Sequence, residues 1–322
     1  MTGVAITAHE LTKDYGNGRG CRSITITVGK GEAFGFLGPN GAGKSTFVKM
    51  LVGLIRPTKG HGMICGHPIG SLEARRHFGY LPELYRYQEW LSGEEVLQLH
   101  ARLCDVAASE AKRRIPELLD LVGLGLRGKD RVKMYSKGMQ QRLGLACALV
   151  TDPPIVFLDE PASALDPLGR RDVRELLRLM KGQGKTIFLN SHLLEDVELL
   201  CDRVALLNNG QILQVGSVAD VLHETSRWHL RVGGFAPFLL AWLQEASGLT
   251  VRLLAPHMEG VAAHEDSVWL EAELEDDEQI GWLNSLVIEQ GMTLYEVKKA
   301  KTKLDEWFVS SVAGRSHRGE RE

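Results

Sequence analysis

The run Gly38-Pro39-Asn40-Gly41-Ala42-Gly43-Lys44-Ser45-Thr46 has the residue types and spacing to hold a phosphate chain. Its glycines let backbone N–H groups turn toward anionic oxygens, and a helix N-terminus behind them adds partial positive charge. Within the pattern G-x-x-x-x-G-K-S, Lys44 is placed to reach β- and γ-phosphates and the Ser45 hydroxyl to ligate Mg2+. The alternative is a glycine-rich turn that only caps a helix.

A second run, Ile155-Val156-Phe157-Leu158, ends in Asp159-Glu160. A strand apolar throughout belongs in the middle of a parallel sheet, where its end delivers both acids to the ligand edge. Asp159 would hold Mg2+ through water, and Glu160 would orient or deprotonate an attacking water. A positioned group of that kind changes a rate by roughly 100- to 10,000-fold. The pair is otherwise a polar strand end opening the turn at Pro161. With the cradle upstream, nucleotide hydrolysis is the chemistry these residues point to.

The elements that must position them are short. Residues 33–37 read as a buried strand and 46–54 as a helix, which puts the cradle on a strand-to-helix turn. A chain of 322 residues can bury one large core or two unequal ones, and a net charge of -3 gives no sign of a nucleic-acid surface. No run approaches the roughly 18 apolar residues a membrane span needs, and the start lacks a charged region followed by an apolar one, so a cytosolic location is expected. Cys21, Cys65, Cys104, Cys147 and Cys201 show no C-x-x-C spacing, which fits reduced thiols in apolar positions. His61, Cys65 and His67 suggest either a metal or, with Gly60, Gly62 and Gly66 among them, a hairpin between short strands.

Tyr135-Ser136-Lys137-Gly138-Met139-Gln140-Gln141-Arg142 lies shortly before the acidic strand, where ATP-binding cassette proteins carry their signature loop. Pro161-Ala162-Ser163-Ala164-Leu165-Asp166-Pro167 resembles the family's D-loop and Asn190-Ser191-His192 its switch histidine. Gly79-Tyr80-Leu81-Pro82-Glu83 sits where the Q-loop falls, and Lys13-Asp14-Tyr15-Gly16 where an aromatic packs on adenine. Over about residues 4 to 220 the chain therefore resembles an ABC ATPase. The resemblance implies an α/β fold with a P-loop NTPase (RecA-like) core and a helical subdomain at about 90–150.

It also implies ATP and Mg2+ as ligands, with Ser45, Glu83 and Asp159 on the metal. His192 would contact the γ-phosphate and the attacking water beside Glu160, and Tyr15 would stack on adenine. Ser136 precedes a helix beginning near Lys137 or Gly138, so its hydroxyl and the following amides either make a second anion site facing outward or only cap that helix. In the family that site meets ATP held by the opposite cassette of a head-to-tail dimer, with Asp166 reaching across. Glu83 stands where glutamine is usual, and Lys137 and Met139 replace a glycine and a glutamine. These changes resemble variants of type-2 exporter ATPases, which implies a separate membrane permease, a homodimer and a place on the cytoplasmic face of the cell membrane. The rival is a soluble ABC ATPase acting on ribosomes or nucleic acid. Single motifs and the lack of sustained heptads between them speak against it.

Residues 94–121 alternate apolar and charged positions at helical spacing, with Pro116 as the expected interruption. Tyr85, Tyr87 and Trp90, just after Glu83, are either exposed aromatics that receive a permease helix or ordinary, partly buried loop aromatics. After Gly216 the motifs stop. Strand 228–232, helix 235–246, strands 250–254 and 267–272, helix 277–290 and strand 293–297 would make an accessory α+β, ferredoxin-like domain over 221–313. A terminal helix is expected near 303–312 and a disordered tail at 314–322. The acidic run 273–278 reads as a solvated helix start.

Overall fold

The computed structural model describes residues 3–16, 19–221, 224–254, 267–274, 276, 278–301 and 304. The expected terminal helix, apart from residue 304, and the tail lie outside them. The chain divides into two compact units, one running to Val218 and the other starting at Ala219.

In the first unit, β1 (Val4–Asp14) and β2 (Gly20–Gly29) lead to β3 (Ala33–Leu37) and helix α1 (Lys44–Leu51). Then come β4 (Lys59–Ile64), β5 (His67–Pro68), α2 (Leu72–Arg75) and β6 (Phe78–Leu81), followed by the helices α3 (Gly93–Leu103), α4 (Ala108–Leu121) and α5 (Lys137–Ala148). The unit ends with β7 (Ile155–Asp159), α6 (Pro167–Gly182), β8 (Thr186–Asn190), α7 (Leu194–Leu200), β9 (Arg203–Asn208), β10 (Gln211–Ser217) and the start of α8 (Val218–Val221).

One sheet has the order β10-β9-β3-β8-β7-β6, parallel from β9 to β6 with β10 antiparallel at the edge. Every residue of β3, β7 and β8 is buried, as apolar strands covered on both faces must be. The other sheet, β2-β1-β4-β5, is antiparallel. Helix α1 packs between them: Phe47 stacks on Phe36 at 4.9 Å, and Phe188 joins Phe36 and Phe157 to the same cluster. Each such aromatic pair adds about 1 kcal/mol beyond its buried area.

Cys65 and Gly66, both at positive φ, form the two-residue turn joining β4 to β5, as the hairpin reading requires. No metal-ligating cluster of three occurs among the described residues. All five cysteines are free, but Cys104 is exposed rather than apolar-buried, because it closes α3 at the surface. Pro116 does not interrupt its helix. The break comes earlier, where Asp105 takes a left-handed φ of 57° and the Val106 N–H reaches back to the Ala101 carbonyl, terminating α3. Tyr85 and Tyr87 are also not free aromatics. They stack at 5.5 Å, Tyr87 packs on His100, and the Tyr85 hydroxyl donates to the Lys137 carbonyl at 3.1 Å. Trp90 is exposed, and so is Leu84.

The second unit contains β11 (Glu224–Gly233), α9 (Pro237–Ser247), β12 (Thr250–Leu253), β13 (Ser267–Glu273), α10 (Glu278–Glu289) and β14 (Thr293–Lys301). Its sheet order is β12-β13-β11-β14 with every neighbour antiparallel, a β-α-β-β-α-β unit. Leu239 and Leu243 of α9 and Leu283, Leu286 and Val287 of α10 cover one sheet face through Leu230, Val232, Leu270 and Ala272. The Asp276 carboxylate accepts from the Glu278 and Gln279 N–H groups, so the acidic run does begin a helix. No described helix of either unit is long and apolar enough to cross a membrane.

Candidate active site

A cleft of 720 Å³ opens at the carboxyl end of the parallel strands, lined among others by Tyr15, Asn40, Gly41, Gly43, Lys44, Ser45, Thr46, Glu83, Glu160 and Asn190. Strand β3 turns into α1 through the cradle. Gly43 caps α1 at a φ of 103° with no side chain to accept from the first-turn N–H groups, which leaves them for an anion. A Cβ there would lie 2.4 Å from the Gly20 carbonyl oxygen, so only glycine fits. The Ala42 N–H donates to the Pro39 carbonyl at 3.1 Å, and Lys44 Nζ donates to the Gly38 and Pro39 carbonyls at 2.7 and 3.2 Å. An ammonium has three N–H groups, so one remains for a phosphate.

The acids arrive on the next strands. In the register of β7 against β8, Asp159 pairs with Asn190, whose Nδ2 donates to Asp159 Oδ1. Glu160, just past the strand, has a φ of 56°, and its Oε2 lies 2.6 Å from His192 Nδ1. Burial pushes Asp159 above the ordinary carboxylate range against hydrogen bonds from Asn190 and Ser45. Burial lifts Glu160 too, opposed first by His192 and then by Lys44. Lys44 is lowered by burial, with Glu160, Asp159 and Glu83 pulling it back. Tyr15 is half-exposed, with Lys13 Nζ 5.4 Å from its ring centre.

The donor set suits a small hard cation. Ser45, Asp159 and Glu83 offer only oxygen, and the buried Tyr80 hydroxyl and Asn190 Oδ1 have no hydrogen-bond partner, which suits groups that face coordinated water.

Three of the expected site residues lie elsewhere. Ser136, Gly138 and Asp166 line a separate hollow of 430 Å³ together with Lys137, Met139, Arg142 and Leu165. Ser136 Oγ caps α5 by accepting from the Met139 N–H at 3.2 Å, and Asp166 Oδ1 caps α6 through the Gly169 N–H at 2.7 Å. Asn190 and Gln141 lie inside motifs quoted from the sequence, but the sequence reading gave neither a role of its own. Asn190 is the polar end of an apolar run, a signal shared with Asp159. Gln141 follows the signature residues as one of two adjacent glutamines, and nothing in the sequence marks it as the buried one.

Residues 21–163 match the family model described as ABC transporter. The chain is 47% identical over 228 residues to an ABC transporter ATP-binding protein of Nostoc sp., a match covering 70% of this chain and 67% of that one. It is 32% identical over 312 residues, 96% of either chain, to the daunorubicin resistance ATP-binding protein DrrA3 of Streptomyces coeruleorubidus. A solved ATP-binding subunit of an ABC transporter, 33% identical, superposes with a TM-score of 0.63 over 67% of this chain and 91% of its own.

Proposed function

The chain belongs to the family of ABC transporter ATP-binding subunits and is an ABC-type ATPase, and we propose that two copies close head to tail around two ATP molecules. The observation that supports this is the separation of the two hollows. Lys44 and Glu160 line one, whereas Ser136, Gly138 and Asp166 line the other, so neither contains a complete set. In the closed dimer the α5 N-terminus of one copy faces the γ-phosphate held by its partner.

Within each site Tyr15 packs on adenine, while Lys44 and the open N–H groups of α1 take the phosphates. Ser45, Asp159 and Glu83 hold Mg2+, which when bound neutralises charge on the phosphate oxygens. Glu160 accepts a proton from the attacking water. With its Nδ1–H donated to Oε2, His192 orients that carboxylate and leaves Oε1 free for the water. Hydrolysis then opens the dimer. The mechanical work is delivered to a separate membrane-spanning permease on the cytoplasmic face, with Leu84 and Trp90 in the contact. The daunorubicin resistance relative supports an exporter.

Mixing Ser136→Ala with Lys44→Ala chains tests the shared site: the mixture should recover ATP turnover that neither variant shows alone. Full-rate hydrolysis by an isolated dilute monomer would overturn it. For the transport half, a tagged Glu160→Gln chain purified with ATP from detergent-solubilised membranes should bring a stoichiometric polytopic protein. Recovery only with ribosomes or nucleic acid would replace the transporter by a soluble ABC ATPase.

A further inference from the structure

Helix α5 reaches into the turn that carries Glu160. Gln141, 3% exposed, donates from Nε2 to the Glu160 carbonyl at 2.6 Å, while its Oε1 accepts the Ala164 N–H at 3.0 Å. A carbonyl needs a donor and an N–H needs an acceptor, so the amide has only one workable orientation. Ser163 adds its N–H at 3.3 Å and its Oγ at 3.1 Å to the same Glu160 carbonyl. On the other side, the Glu160 N–H donates to the Asn190 carbonyl at 2.8 Å.

These contacts converge on a residue with a φ of 56°, a conformation disfavoured wherever there is a Cβ. Relaxation of that torsion would turn the Glu160 carboxylate away from His192, which holds it at 2.6 Å. The Ser163 donors are local and move with the turn. Gln141 comes from 19 residues away on another element and anchors the turn from outside.

We propose that Gln141 is a positioning residue for hydrolysis. It holds the Glu160 backbone in its left-handed turn and ties Ala164, two residues before Asp166, to the helix that presents Ser136. A displacement of α5 therefore reaches Glu160 through one side-chain amide. This inference rests on the reading of Glu160 as the general base.

The test uses the full chain. Gln141→Leu removes both bonds, whereas Gln141→Glu keeps an acceptor for Ala164 and loses the donor to Glu160. Each should lower kcat by roughly 10- to 100-fold, the cost of a misplaced reacting group. Affinity for a fluorescent ATP analogue should stay near that of the unmodified chain. In a Glu160→Gln background, Gln141→Leu should cause no further loss, because no base remains to be positioned. Unchanged kcat in Gln141→Glu, or an equal further loss in the Glu160→Gln background, overturns the proposal. If Gln141→Leu does not fold, Gln141→Glu decides: reduced kcat with retained affinity supports the proposal, and kcat and affinity falling together refutes it. Normal turnover in Glu160→Gln alone removes the base assignment and this inference with it. Loss there with unchanged Gln141 variants removes the inference only.

Discussion

The cleft around Lys44 and the hollow around Ser136 both end on the N-terminus of a helix, yet they use it in opposite ways. Gly43 brings no side chain to α1 and leaves its first-turn donors open, while Lys44, Asp159 and Glu160 are buried beside them with protonation displaced by that burial. Ser136 and Asp166 instead satisfy their own helices, and Asp166 stays exposed. The proposed chemistry falls where charge is buried and the backbone is held at an unfavourable torsion. The second surface has its caps satisfied within the chain, and under the proposed mechanism it is completed by a partner copy.

Replacing Glu160 by glutamine attacks the reactive side of that contrast and carries the largest expected effect. ATP still binds, and turnover falls by roughly 100- to 10,000-fold, measured as phosphate release beside nucleotide affinity. Near-normal turnover would end the base assignment. Ser136→Ala probes the capped side, with about 1 kcal/mol of stability lost from the α5 cap. Nucleotide affinity at the Lys44 cleft should be kept, but turnover at protein concentrations that favour dimers should drop. A thermal shift with unchanged turnover would make Ser136 a cap alone.

A smaller effect concerns pH. His192 is the first influence opposing the burial that raises Glu160. With Glu160 as the proposed base, kcat should fall as pH drops through the Glu160 pKa, which lies above the ordinary 4.5. Removing His192 lifts that pKa further, and His192→Ala should move the acid-side fall to higher pH; a fixed midpoint would contradict the contact. The smallest effect lies outside both surfaces. Lys185 holds the Asp152 carboxyl below its ordinary 3.8, so their contact stabilises above that value and is lost as pH falls through the lower folded pKa. Asp152→Asn should lose that acid-side dependence of the melting midpoint and leave turnover untouched. Because Asp152 is largely exposed, the change is slight.

The strands that carry the chemistry were legible because β3, β7 and β8 are apolar throughout, the mark of strands covered on both faces. The cradle was legible because glycine, lysine and serine at fixed spacing answer a single geometric need. Asn190 became meaningful only when register set it beside Asp159, and register depends on partners distant in the chain. The same limit hid Gln141, whose role exists only because α5 approaches the turn after β7. It also left Tyr85 and Tyr87 open between docking and packing, a choice that only the approach of α3 and α5 decides. Pro116 reads as a helix breaker, yet α4 continues through it, and the real stop is the left-handed Asp105.

The strand order bears on how the molecule is made. β8 lies between β3 and β7, although both are synthesised before it. A growing chain that has already produced the cradle and the acidic strand still lacks the strand that joins them. Until residues 186–190 emerge, β3 and β7 each have an apolar edge with unpaired N–H and C=O groups, open to the wrong neighbour. Nascent chains stalled before that point should be prone to aggregation and blind to nucleotide, and those stalled after β8 has emerged should begin to capture it.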